Sequence, residues 1–179
     1  MKDDVKCIIR SGLLLAVAIV FQTIGRNIPS INQFIVGPVI NAILLIATFM
    51  CGIWWGVAIG VLTPWTAWIL GQLPQPMGPF IPFIALGNAL YVVAFGVLRH
   101  YKKWGKISGY LLGSVLKYLF LYISALKLIY LFKINLPSKV ASKLAVMMGI
   151  PQLITALVGG AIALILIEML KKRNIKLEE

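Results

Sequence analysis

Acidic side chains are nearly missing from this chain: Asp and Glu number 5 in 179 residues, against 17 Lys and Arg. Asp3, Asp4, Glu178 and Glu179 sit near the two ends, and Glu168 stands at the close of the last apolar stretch. No carboxylate therefore lies within a long apolar run, where a proton-coupled exporter keeps one to titrate. Histidine is as scarce, His100 standing alone in a basic segment. The sequence offers no cluster of metal ligands, no Ser/His/Asp set and no paired carboxylates, so neither a catalytic residue nor a metal or cofactor is expected. It also has no Gly-rich phosphate loop ending in Lys-Ser/Thr, which excludes ATP hydrolysis by that route. Cys7 and Cys51 are far apart and both fall on the side expected to be cytoplasmic, so they imply no disulfide framework.

Charge of any kind is thin. Charged residues make up 12% of the chain, where a soluble domain carries about 25%. Apolar residues reach 60%, with a net charge of +12 and a mean hydropathy of +0.95. Charges bunched between long neutral runs call for lipid as solvent. With roughly 20 apolar residues per spanning helix, residues 1–179 hold six helices in one domain, with no separate soluble part. The Lys and Arg residues stand at helix ends without a basic stripe or zinc spacing, which argues against nucleic acid. The first apolar run follows a basic start but is interrupted by Asp3 and Asp4, and its Ala16-Val17-Ala18 string lies inside the run. It reads as a retained helix and not as a cleaved signal.

The expected fold is an all-α integral membrane bundle of six transmembrane helices. Helix 1 is expected over about Ile8–Ile24, before Gly25-Arg26-Asn27 and Pro29. Residues 34–70 hold no charge, and at about 1.5 Å per residue they are too long for one crossing. Cys51-Gly52 supplies the break between helix 2 (Phe34–Met50) and helix 3 (Ile53–Gly71). Three prolines between Gln72 and Pro79 stop an α-helix. Helix 4 then covers Phe80–Leu98, helix 5 Ile107–Phe132 and helix 6 Leu144–Leu170, with a loop from Lys133 to Lys143. The side holding both termini carries 11 basic residues and the other side 4, with Lys117 and Lys127 inside a helix. The positive-inside rule puts both termini in the cytoplasm.

Polar side chains within the apolar runs gather from the midplane outward. Asn41, Trp68, Gln72, Asn88, Tyr91, Lys117, Tyr122, Lys127 and Gln152 are the candidate ligand contacts. Lys117 lies near mid-membrane, and at about 100° per residue Lys117, Ser124 and Lys127 share one helix face. Each alone has a structural reading: amides glue helices together and Trp forms interfacial belts. Together, beneath a Pro-rich loop suited to a lid, they outline a pocket for a small solute. Lys117, Lys127 and Arg26 tilt the choice toward a carboxylate, pantothenate-like or folate-like, ahead of a neutral heteroaromatic. Gly12-x3-Ala16 and Gly52-x3-Gly56-x3-Gly60 are small-residue strings that allow close helix approach in the opposite halves of their helices.

On these residues the chain resembles the substrate-binding S component of an energy-coupling factor (ECF-type) vitamin transporter. The likeness covers its size, six helices, basic termini, polar outer half, Pro-containing outer loop and the helix 1 string Ser11-Gly-Leu-Leu-Leu-Ala-Val-Ala18. The family's Ala-x-x-x-Ala string is matched only as Gly12-x3-Ala16, which keeps the surface small. The resemblance implies docking of Gly12, Ala16, Gly52, Gly56 and Gly60 against a transmembrane coupling subunit joined to two ATPase subunits. It also implies capture of a vitamin or precursor outside a prokaryotic plasma membrane, then toppling of the S component. Metal-uptake relatives carry an N-terminal His, absent from Met1-Lys2-Asp3. The rival readings are a stand-alone carrier or channel and a structural membrane subunit.

Overall fold

Neutral apolar runs in lipid must close their backbone hydrogen bonds within the segment, and this chain does so entirely as helices among the residues described. A computed structural model describes residues 2–28, 32–101, 104–128 and 137–172. Its helices are α1 (Lys2–Asn27), α2 (Asn32–Cys51), α3 (Ile53–Ile69), α4 (Ile81–Leu98), α5 (Gly105–Ile123), α6 (Ser138–Met147) and α7 (Ile150–Lys172). A 3-10 turn over Gln75–Phe80 leads into α4, and a π turn over Ser124–Leu128 follows α5. Among the described residues five stretches are long and apolar enough to cross a membrane, and α3 is a shorter apolar helix of 17 residues.

The break expected at Cys51-Gly52 is there. Gly52 takes φ +90, a left-handed conformation that a side chain disfavours, and caps α3. Two boundaries differ from expectation. The last apolar stretch is not one helix from Leu144: it divides at Met148-Gly149 into α6 and α7, because Pro151 brings no amide hydrogen to the turn behind it. Ser138–Lys143, expected as loop, belongs to α6, which follows Pro137, exposes Lys139 and Lys143 and buries Leu144. Helix 5 was expected to continue to Phe132; the α-helix ends at Ile123, and residues 129–132 lie outside those described.

α2 is the axis of the bundle. Every residue from Asn41 to Phe49 is buried, the pattern of a helix surrounded on all sides. α7 lies against it closely at Gly159, where an added Cβ would fall 2.6 Å from Asn41 Cβ and onto the Pro38 carbonyl. This approach fixes the height and rotation of Asn41.

The two ends of the bundle differ in charge. At one end Cys51 Sγ lies 3.9 Å from the Cys7 carbonyl, and Arg99 donates to the Thr48 carbonyl. Lys106 pairs with Glu168 at 2.7 Å, and the ring of Phe49 has Arg99, Lys106 and Lys171 between 5.3 and 5.5 Å from its centre. The start of α1 and the end of α7 thus share this basic end. The opposite end carries the 3-10 turn, α6 and the break at Gly149. There Met77, Phe80, Leu121, Leu144 and Met148 form a second, smaller apolar cluster.

Candidate functional site

A cavity of about 130 Å³ opens between the helices on the side away from the basic end. Its rim is made by Gln33 at the start of α2, Gln72 and Leu73 after α3, and Met147 and Met148 at the end of α6. The rim is tied across the chain by Gln33, whose Nε2 donates to the Met147 carbonyl at 2.7 Å. Asn41, eight residues beyond Gln33 on α2, lies about 12 Å deeper, and with it Lys117 from α5 and Asn88 from α4.

Lys117 is the centre of the floor. It is 3% exposed, donates to Asn41 Oδ1 at 2.6 Å and stands 5.5 Å from the centre of the Tyr91 ring. Asn41 is itself 2% exposed. Tyr91 is held in turn by donating its hydroxyl to the Ala156 carbonyl at 3.0 Å. A buried cation is costly unless its donors are met; here an amide oxygen and an aromatic face meet it, and no carboxylate is among the described residues that line the cavity.

A second device sets Asn88. Pro64 lies inside α3 and has no amide hydrogen to give the carbonyl four residues earlier, that of Gly60. Asn88 Nδ2 takes that carbonyl at 2.8 Å, and Gly60 lets α4 come close enough, since a Cβ there would sit 3.1 Å from Asn88 Cβ. Asn88→Ala should strip the Gly60 carbonyl of this donor and lower stability by about 1–2 kcal/mol, read as a drop in detergent melting temperature. An unchanged melting temperature would mean that α3 meets the carbonyl in some other way.

Of the nine ligand contacts expected from sequence, the fold brings Asn41, Gln72, Asn88, Lys117 and Gln152 to the cavity. The other four do not line it. Trp68 donates its Nε1–H to the Gln75 carbonyl at 3.1 Å and lies against Gly78, so it secures the 3-10 turn. Tyr91 lies beneath Lys117. Tyr122 is 37% exposed and stacked on Tyr118 at 5.8 Å. Lys127 is exposed, although Lys117 and Ser124 are buried. The physical reason is the π turn, whose wider winding breaks the 100° step on which the shared face was inferred. Arg26 also stays out of the lining and lies beside Gly71.

The small-residue positions divide as well. Gly12 and Ala16 are exposed, with nothing within 4 Å of a Cβ on Gly12. Gly56 and Gly60 are buried inside the bundle, Gly56 against Thr48 and Val92, and Gly52 is the helix break. The smallness of Gly56 and Gly60 serves internal packing, so those two offer no free surface, while Gly52 serves chain reversal with nothing within 4 Å of an added Cβ.

The model of the family described as ECF transporter, substrate-specific component, matches residues 6–171. The chain belongs to that family. No curated protein and no solved structure matches it. As an S component it is a transport subunit, one that works with other components of the transporter and with a small-molecule substrate.

Several lining residues of this S component escaped the sequence reading. Gln22 is buried in α1, its Nε2 donating to the Thr63 carbonyl at 2.9 Å and its Oε1 accepting from Thr66 at 2.8 Å. The rule that singled out Asn41 and Asn88, an amide inside an apolar run, applies equally to Gln22. Thr63, beside Pro64, had the signal of a proline within a helix. Gln33, Met147 and Met148 gave none, since their roles depend on how α6 folds back over the opening.

Proposed function

We propose that this S component captures a vitamin or vitamin precursor in the cavity from outside a prokaryotic cell. Delivery inward then depends on a transmembrane coupling subunit joined to two ATPase subunits. The observation that carries this reading is the position of the cavity: it opens at the end opposite the larger group of basic residues, with Lys139 and Lys143 on its own side. By the positive-inside rule the end with Lys6, Arg10, Arg99, Lys106, Lys171 and Lys172 faces the cytoplasm, which turns the cavity outward. The family supports a partner-dependent transport role, and the chain carries no phosphate-loop motif of its own. Gly12 and Ala16, small and exposed on α1, are the surface that a coupling subunit would approach.

Tagged protein isolated from its native membrane in mild detergent is expected to bring with it a transmembrane subunit and two ATPase subunits. Ala16→Trp should lose them while leaving the melting temperature within about 2 °C, since surface changes cost little. Recovery of the chain alone, together with net solute accumulation by liposomes that contain only this chain, would overturn the reading in favour of a stand-alone carrier.

A further inference from the structure

Among the described residues the polar lining of the cavity combines one lysine, no carboxylate and six carboxamides. Gln22, Gln33, Asn41, Gln72, Asn88 and Gln152 contribute neutral groups that both donate and accept. Lys117 is the one charged side chain among the described lining residues. Its two partners, the Asn41 amide oxygen and the Tyr91 ring, are both neutral. Of the five acids, four stand near the ends of the sequence, and Glu168 pairs with Lys106 at the basic end. An ammonium has three donors, and here the protein supplies one oxygen acceptor. The structure therefore holds a buried amine with hydrogen-bonding capacity to spare, facing the cavity.

We propose that the ligand is a monocarboxylate whose carboxylate seats on Lys117 Nζ. Its amide or hydroxyl groups meet the surrounding carboxamides. This rests on the solute-capture reading above and gives that site its substrate class. The single charge follows from counting: a carboxylate cancels Lys117, whereas a phosphate monoester would leave excess negative charge buried without a partner. A cationic ligand would meet like charge in a site of low dielectric. Apart from Thr63, the rest of the lining, including Val36, Ile40, Ile84, Met147 and Met148, is apolar. It suits a body that is largely aliphatic between its polar groups.

The test uses the full-length protein in detergent, as wild type and as Lys117→Met and Lys117→Arg. Each is mixed with an equimolar set of vitamins and precursors that includes pantothenate, its neutral alcohol panthenol, phosphopantothenate, thiamine and riboflavin. Adducts are read by native mass spectrometry and the affinities by titration. Capture of a monocarboxylate by the wild type is expected, weakened about 100-fold or more in Lys117→Met. Lys117→Arg, which keeps the charge, should retain part of the affinity. Panthenol and phosphopantothenate should each bind more weakly than pantothenate if pantothenate is the compound captured. Selection of a neutral, cationic or phosphorylated compound, or equal capture by Lys117→Met, overturns the charge assignment and leaves solute capture standing. A wild type that captures none of the set, and takes no adduct from a cell extract either, overturns solute capture and the present proposal with it. Melting temperature verifies that each variant is folded.

Discussion

Asn41→Leu is expected to lower the melting temperature of the detergent-purified protein by roughly 5–10 °C, and adding Lys117→Met should recover most of the loss. Lys117 is buried and gives a hydrogen bond to Asn41 Oδ1. Removing that oxygen leaves an ammonium in the bundle with only the Tyr91 face beside it. Losing a hydrogen bond to a charged group costs about 2–3 kcal/mol, and a protein of this size shifts by about 2–4 °C per kcal/mol. Replacing both partners by apolar groups of similar shape removes the unmet charge along with its acceptor, which is often neutral or even stabilising. Lys117→Met alone is expected to cost little stability while abolishing ligand retention. Such a split between stability and binding is what distinguishes a residue kept for its ligand from one kept for the fold. Equal losses in the single Asn41 variant and in the double variant would show that Asn41 supports packing and not the cation.

Gly159→Ala should be nearly as damaging, through a different cause. The new Cβ would stand 2.6 Å from Asn41 Cβ and against the Pro38 carbonyl, so α7 must withdraw from α2. Overpacking of this kind costs about 1–3 kcal/mol, or roughly 3–10 °C at the same conversion. The matched control is Gly12→Ala, where nothing lies within 4 Å of the added atom. That variant should hold its melting temperature or gain slightly, because Ala is the better helix former. Since Asn41 is one of the atoms displaced, Gly159→Ala should also weaken ligand retention. A Gly159→Ala protein as stable as the wild type would mean that α2 and α7 have room to separate without consequence.

Long neutral runs declared the helices and the basic ends their common side, because both depend on composition and on periodicity local to each segment. Cys51-Gly52 and the prolines after Gln72 were legible for the same reason: a backbone restriction belongs to the residue itself. The candidate site was legible to the depth of single helices. Asn41, Asn88 and Lys117 announced themselves as polar groups where lipid tolerates few, and α2, α4 and α5 bring all three to one cavity. Lys127 shows where this kind of reading stops. Its place on the Lys117 face assumed uniform α-winding, and the π turn after Ile123 rotated it outward. Gly56 and Gly60 show another limit. A small residue permits close approach but does not name what approaches, and here it is Thr48 and Asn88 of the same chain. Met147 and Met148 depended on the fold of α6, a short helix whose only sequence signals were Pro137 before it and Gly149 after it.

The cavity concentrates its charge in Lys117 and spreads its hydrogen bonding over six neutral amides. In evolutionary terms this makes ligand charge a one-codon trait. A change from Lys to Met takes one or two altered bases, removes a buried amine from the bundle and leaves the carboxamide frame in place. On the carboxylate seat proposed above, a lineage built on this scaffold could thus move from anionic to neutral solutes without first losing stability. Shape and charge selectivity, coupled in most binding sites, are here free to drift apart.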